Sequence, residues 1–223
     1  MKIVYTTCAF LIGIMIIISS VYFVGFDRNI YQEQYKKLEI AQKTGLSEDE
    51  LTRVTEFLLS YCEDKHDDFS LYIMRHGETV QAFEPREAQH MVDVKALFVT
   101  FRLIRNILII PFVLMAMFFF AKNKRRDILK HMLYGLLSCV LFVIFLGIFV
   151  ALDFNTFWTF FHKVFFNNDL WLLDPSVSLI INMFPMGFFM ALCTKIILFA
   201  VGGFAILALG CVAGMAVLKR RGA

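Results

Sequence analysis

Long hydrophobic segments without charge alternate with polar segments along this chain. Ile3–Phe26 has 24 residues and Met132–Leu152 has 21, and neither contains a charged side chain. A transmembrane helix needs about 20 consecutive apolar residues to cross the hydrocarbon core of a bilayer. Each segment is therefore predicted to cross a membrane as a helix. The composition agrees, because 59% hydrophobic and 18% charged residues lie outside the range of ordinary soluble domains.

A second membrane crossing is predicted before residue 121. Asn106–Ala121 has only 16 uncharged residues, but extension back to Leu97 gives ample length. Arg102 and Arg105 would then lie at the membrane boundary and snorkel, with their charged ends extended into water. Pro111 is expected to kink this helix. A strongly basic stretch, KNKRRDILK, follows directly.

The distribution of positive charge decides how many times the chain crosses. Ser176–Thr194 and Ile196–Leu218 are both uncharged and long enough to span, which would give five crossings. The basic stretch and the basic C-terminus should both be cytoplasmic, so an even number of crossings separates them. Ser176–Thr194 contains an asparagine, a proline and a glycine. We therefore expect it to be interfacial or re-entrant, with the last helix beginning near Met190.

The predicted fold is a mostly α-helical membrane protein with four transmembrane helices and both termini in the cytoplasm. A small extracellular module separates the first two helices, and an interfacial segment separates the last two. The predicted boundaries are transmembrane helices at 1–26, 97–121, 132–152 and 190–218, the extracellular module at 27–96, a basic cytoplasmic loop at 122–131, the extracellular aromatic segment at 153–189, and a cytoplasmic tail at 219–223.

The extracellular module shows local signals of helices and one hairpin. Ile30–Lys43 has helical spacing, and Ser47, followed by a glutamate three positions later, has the pattern of a capping box. Leu71–Met74 and Thr79–Phe83 flank a His-Gly pair and are predicted to form a short hairpin. Pro85 suits the first position of a further helix.

Two polar segments carry candidate chemistry. His90 and Asp93 are three residues apart on a predicted helix, and therefore on one face of it. Asp153–Pro175 is crowded with Phe and Trp and contains His162. An aspartate that accepts one imidazole N–H leaves the other ring nitrogen free as a base, and a second histidine can donate to a developing oxyanion. The topology allows the two histidines to meet on one side of the membrane.

Plainer interpretations exist for each of these features. A histidine at a membrane boundary is often only solvated or a cap, and an aromatic run is often a membrane belt. Asp93 has Arg86 as an alternative partner, and Arg102 has a simple role as a membrane anchor. A zinc site made of His90, Asp93 and His162 is a further alternative, without a typical ligand spacing. The net charge of +3 is too small to indicate nucleic acid binding.

Three stretches resemble a known family. They are EAQHMVDVKALF (Glu87–Phe98), FHKVFFNNDLWLLDP (Phe161–Pro175) and IINMFPMGFF (Ile180–Phe189). Their order and the predicted topology are similar to those of the lipoprotein intramolecular transacylases of low-GC Gram-positive bacteria, so the resemblance covers essentially the whole chain. The two functional histidines of that family fall on His90 and His162. Where the family often carries an acidic residue, this chain has Ser178.

The resemblance implies an enzyme that modifies diacylglyceryl lipoproteins at the outer leaflet. One acyl chain would move from the glycerol sn-2 oxygen to the α-amino group of the N-terminal cysteine, without a cofactor. We expect His90, oriented by Asp93, to act as general base and His162 to polarise the ester, or the two histidines to exchange these roles. The partners would be lipoproteins and membrane lipid. Residues expected to contact the substrate are Arg102, Phe157, Trp158, Phe161, Phe165, Phe166 and Trp171.

Two other functions fit the same topology. A non-enzymatic sensor or assembly partner would bind a protein through its outer module, and its two histidines would lie far apart. A different lipid-directed enzyme, such as an intermolecular acyltransferase or a zinc hydrolase, would need a bound metal or an acyl-enzyme intermediate.

Overall fold

The computed structural model describes residues 2–75, 77–121 and 125–220, and the chain divides into two compact units. The first unit comprises Met1–Val24, Arg102–Leu152 and Thr194–Ala223, and the second comprises Gly25–Phe101 and Asp153–Cys193. The elements in chain order are α1 (Lys2–Gly25), α2 (Arg28–Lys37), α3 (Ile40–Thr44), α4 (Glu48–Cys62), β1 (Tyr72–Arg75), β2 (Glu78–Gln81), α5 (Pro85–Ile107), α6 (Ile109–Ala121), α7 (Arg125–Leu152), α8 (Phe154–Phe165), α9 (Leu179–Met183) and α10 (Met186–Arg220).

Four helical segments of the described residues are long and apolar enough to cross a membrane: Lys2–Gly25, Pro85–Phe120, Arg125–Leu152 and Met186–Arg220. The prediction of four spans is confirmed, and Ser176–Thr194 is not a fifth. Its first half holds the five-residue helix α9, and its second half already belongs to α10. The last helix begins at Met186, four residues earlier than expected, directly after Pro185.

The helix of the second membrane crossing is interrupted close to its proline, Pro111. α5 ends at Ile107 and α6 begins at Ile109. Pro111 has no N–H to donate to the carbonyl of Ile107, and its ring crowds that carbonyl. The helix is therefore interrupted at Leu108, three residues before Pro111, while the kink itself stays a prediction.

The first unit is held together by close helix packing. Ile12, Ile128 and Cys211 are almost completely buried in one of its two apolar clusters. A Cβ atom at Gly135 of α7 would lie 2.5 Å from the Cβ of Ala9 in α1. Only glycine allows this approach, as is typical where membrane helices pack through small residues.

The second unit has its own core of aromatic and aliphatic side chains, contributed by α2, α4, the hairpin, α9 and the adjoining ends of α5 and α10. The Tyr31 hydroxyl donates to the carbonyl of Gly25 at 2.6 Å, and the Tyr35 hydroxyl bonds that of Thr55 at 2.7 Å. These buried tyrosines satisfy their polar ends while their rings fill the core. This core supports the elements that carry the candidate site.

The local signals of this unit are mostly present. Ser47 caps α4 and accepts from the backbone N–H of Glu50, although the Glu50 carboxylate pairs with Arg53 instead of completing the box. The hairpin forms with Ile73 opposite Val80, and the histidine of its turn lies outside the described residues. The predicted helix over residues 30–43 is divided, because Glu39 adopts a left-handed conformation with φ of 54°.

Candidate active site

Three side chains of the first two turns of α5 point into the protein interior. Glu87, His90 and Met91 are buried, at the i, i+3 and i+4 spacing of one helix face. Pro85 is the first helical residue, as predicted, and its fixed φ and missing N–H suit that position. His90 is only 8% exposed and is therefore held in the interior of the second unit.

The helix α8 presents the second histidine. Asp153 caps this helix by accepting from the backbone N–H of Thr156 at 3.0 Å. The helix is amphipathic, with His162 buried at 6% exposure and with Phe160 and Val164 exposed on the other side. His162 Nδ1 lies 2.7 Å from the carbonyl oxygen of Trp158. Since a carbonyl only accepts, Nδ1 carries the proton, and in the neutral ring Nε2 carries the lone pair.

The structure brings the two histidines together. The ring centroids of His90 and His162 are 6.1 Å apart, and Phe166 contacts both, at 5.2 and 5.6 Å. Trp171 stacks on His162 at 4.7 Å, and Trp158 meets the same ring edge-on at 4.7 Å. Two imidazoles thus share an aromatic, largely dry environment.

This environment keeps both histidines neutral near pH 7. The charged, polar half of α5 that carries His90 precedes its uncharged stretch, so we place His90 outside the membrane-crossing part. Burial and the neighbouring imidazole of His162 lower the pKa of His90 to about 4, against a smaller opposing effect of Asp93. Burial also lowers the pKa of His162, and its hydrogen bond to Trp158 opposes this in part.

The predicted hydrogen bond between Asp93 and His90 is wrong. The Asp93 carboxylate instead accepts from the side-chain amide of Asn168 at 2.9 Å. His90 Nδ1 has no hydrogen-bond partner among the described residues. Asp93 therefore acts on His90 only through its charge, and it holds the loop after α8. In the same described part of the chain, no three His, Cys, Asp or Glu side chains are grouped as metal ligands.

The aromatic residues predicted to contact substrate surround His162 to different degrees. Trp158, Phe161 and Trp171 contact its ring directly. Phe165 packs on Phe161 at 4.8 Å, and so lies one residue further out. Phe157 contacts Phe154 at the start of α8. Arg102 belongs to the other compact unit, and its contact with substrate stays a prediction.

A buried carboxylate beneath His90 was missed by the sequence interpretation. Glu87 is 1% exposed, and one of its oxygens accepts from the Ser178 hydroxyl at 2.6 Å and from the Ile180 N–H at 2.7 Å. The other oxygen accepts from the N–H of Glu84 at 2.8 Å, as a glutamate at the third helical position often does. Glu87 thus joins the start of α5 to the start of α9, one turn from His90. Its place as the third residue of α5 was the available signal.

Arg86 makes a second connection that the sequence did not indicate. Its guanidinium donates to the carbonyl of Leu172 at 3.1 Å and to that of Asp169. Together with the bond from Asn168 to Asp93, this fixes the loop between α8 and Pro175 to α5. The loop carries Phe166 and Trp171, so these contacts hold the aromatic walls around the imidazole pair.

Comparisons with known proteins agree on one family. The family described as lipoprotein intramolecular transacylase Lit matches residues 6–189, whereas a search of curated proteins gives no match. The chain is similar to the solved membrane-integral lipoprotein intramolecular transacylase Lit from Bacillus cereus, with 25% identity, a TM-score of 0.82, and coverage of 99% of this chain and 97% of that chain. A structure of that protein with one histidine replaced by arginine gives 25% identity, a TM-score of 0.79, and coverage of 100% and 94%. The family match extends over well more than half of the sequence, so this chain belongs to the lipoprotein intramolecular transacylase family and is a multi-pass membrane acyltransferase.

Proposed function

We propose that this enzyme moves the sn-2 acyl chain of a diacylglyceryl lipoprotein to the α-amino group of the same N-terminal cysteine. The observation that carries the proposal is the pair of imidazoles, whose ring centroids lie 6.1 Å apart among aromatic side chains. One imidazole can accept a proton from the amine while the other polarises the ester. The product is a lyso-form lipoprotein with an N-acyl group and one remaining glyceryl ester.

His162 is the better placed general base. Its Nδ1–H is committed to the Trp158 carbonyl at 2.7 Å, so the basic lone pair is on Nε2 and the ring orientation is fixed. The α-ammonium of a peptide has an ordinary pKa of about 7.7–8.0, which is within easy reach of a neutral histidine. Of the two assignments that the sequence left open this is the second, because no hydrogen bond to Asp93 orients His90.

His90 is then the group that polarises the ester carbonyl. Since burial lowers its pKa to about 4, His90 is neutral and donates through a single ring N–H. A neutral imidazole still has one N–H, so it can stabilise a developing oxyanion as a hydrogen-bond donor. Burial favours that stabilisation, because hydrogen bonds to developing charge are stronger where water is excluded.

The transfer balances without an enzyme nucleophile or a second substrate. The α-ammonium first gives one proton through His162 to water. The resulting neutral amine attacks the ester carbonyl carbon, which forms the new C–N bond, and its nitrogen gives a second proton to His162. The C–O bond to glycerol then breaks, and this second proton passes from His162 to the glycerol oxygen. Folding amine and ester of one molecule into contact contributes up to about 7–11 kcal/mol, so positioning is a large part of the catalysis.

The proposed site faces the outer leaflet, where the lipidated cysteine lies. The basic stretch after the second helix and the basic C-terminus favour the cytoplasm, which assigns residues 27–96 and 153–189 to the opposite side. Phe160 and Val164 on the exposed side of α8 suit contact with lipid. The non-enzymatic alternative predicted histidines that lie far apart, in contrast to the observed 6.1 Å.

The direct test uses purified enzyme in detergent and a synthetic diacylglyceryl lipopeptide. Mass spectrometry with fragmentation locates each acyl chain after incubation. We expect the sn-2 chain on the cysteine nitrogen and no released fatty acid. Free fatty acid, an acylated enzyme, or an acyl chain taken from added phospholipid would contradict the proposal.

A further inference from the structure

A polar cavity of about 260 Å³ lies in the second unit, apart from the two imidazoles. Its walls come from Arg75 at the end of β1, Glu84 just before α5, Thr44 of α3 and the segment that leads into α9. From that segment Ser176, Ser178 and Asn182 line it. Neither the family match nor the acyl chemistry assigns a role to this cavity.

Most donors of the cavity are already committed to the protein. The hydroxyls of Thr44, Ser176 and Ser178 donate to Ile40, Asp174 and Glu87. The Asn182 amide N–H₂ donates to the carbonyls of Pro175 and Ser178.

Arg75 is different from these groups. It makes no hydrogen bond or ion pair with any residue the structure describes, and its Nε is shielded from solvent. The cavity therefore offers one strong cationic donor from Arg75. It also offers several acceptors, namely the Glu84 carboxylate, the Asn182 amide oxygen and the remaining hydroxyl lone pairs.

The combination of one cationic donor with several acceptors indicates the class of ligand that the cavity can bind. An extended peptide presents a carbonyl oxygen and an N–H at each residue, so it can satisfy Arg75 and the acceptors at the same time. A phosphate offers mainly acceptors, would leave most of the protein's acceptors unmatched, and would meet the negative charge of Glu84. A polypeptide segment is the better match.

The cavity is connected to the catalytic helix. Ser178 in its wall donates to Glu87, which lies three residues before His90, and Glu84 lies six residues before His90. Six helical residues correspond to about 9 Å along the axis. An extended chain advances about 3.3–3.6 Å per residue, so a peptide held near His90 by its first residue reaches the cavity within about three more.

We propose that this cavity binds the polypeptide that follows the lipidated cysteine of the lipoprotein, with Arg75 donating to a peptide carbonyl. The inference rests on the proposed transacylase reaction and adds a site for the protein part of the substrate. Substrate recognition would then combine an aromatic site for the acyl chain with a polar site for the backbone.

The test compares two substrates: a diacylglyceryl lipopeptide of five residues, and a diacylglyceryl cysteine amide with no further residues. Arg75→Gln should lower kcat/KM for the lipopeptide about tenfold, mainly through KM, as expected for the loss of one charge-assisted hydrogen bond. It should leave the cysteine amide unaffected. Glu84→Gln should lower kcat/KM for the lipopeptide about threefold and leave kcat/KM for the cysteine amide unchanged.

Arg28→Gln is the matched control, since Arg28 pairs with Glu56 at an exposed position of the same unit. Equal effects of Arg75→Gln on both substrates, or a result for the lipopeptide identical to Arg28→Gln, would overturn the inference while leaving the reaction intact. If the unaltered enzyme acylates neither amine, the proposed function fails and the inference fails with it.

Discussion

The buried carboxylate of Glu87 is expected to control the stability of the whole catalytic unit. It accepts three hydrogen bonds, at 2.6, 2.7 and 2.8 Å, from two groups at the start of α9 and from the residue before α5. Glu87→Gln keeps the shape and one acceptor oxygen for Ser178 and Ile180. Its amide N–H₂, however, then faces the N–H of Glu84, so one charge-assisted bond is replaced by two opposed donors.

The size of the effect follows from these contacts. The loss of one charge-assisted bond, with a donor left partly buried, costs about 2–3 kcal/mol. For a chain of this length 1 kcal/mol corresponds to roughly 2–4 °C, so the melting temperature should fall by about 4–12 °C. Glu87→Ala removes all three bonds and should destabilise by about 4–6 kcal/mol, a large part of the usual stability of a protein.

Tryptophan fluorescence is a suitable assay, because both tryptophans of the chain, Trp158 and Trp171, contact His162. Thermal unfolding in detergent is followed through their emission. Glu56→Gln is the control, since that carboxylate is exposed and its ion pair with Arg28 should contribute less than about 1 kcal/mol. If Glu87→Gln melts at the temperature of Glu56→Gln, the carboxylate does not join the helices as described.

Two further predictions concern the histidines and their support. The pKa of His90 is lowered in the folded state to about 4, so the unfolded chain binds more protons than the folded chain between pH 6.5 and 4. The free energy of unfolding should therefore fall by up to about 3 kcal/mol as the pH is lowered through that window. Melting curves measured at several pH values should show a weaker pH dependence for His90→Gln. Because Asp93 binds Asn168 and not His90, Asp93→Ala and Asn168→Ala should lower kcat/KM to a similar extent, and the double variant should be no worse than either. A much larger loss in Asp93→Ala alone would restore a direct role on His90.

The four transmembrane helices could be predicted because length without charge is a local property of sequence. The positive-inside rule then removed Ser176–Thr194 as a fifth span. What could not be predicted was where the backbone turns within that segment. Hydropathy does not distinguish α9 from the first turns of α10, whereas Pro185 between them does.

The candidate site was predictable only in part, for a similar reason. Motif order pointed to His90 and His162, and the structure has their ring centroids 6.1 Å apart. Glu87 has the sequence appearance of an ordinary acidic residue in the first turn of a helix, and its partner Ser178 is 91 residues away. Asp93 showed the opposite error, because correct helical spacing suggested a bond that Asn168, from a distant loop, takes instead.

The measurement that tests the central claim most directly is the single-turnover rate of N-acylation for three histidine variants of the purified enzyme. His162→Ala and His90→Ala should each lower the rate by about 10²–10⁴-fold, the usual contribution of a general acid or base. His66→Ala, a histidine of the same unit that bonds Ser60, should retain the rate of the unaltered enzyme. Near-normal acyl transfer in either pocket variant, with the protein still folded, would contradict catalysis by the imidazole pair.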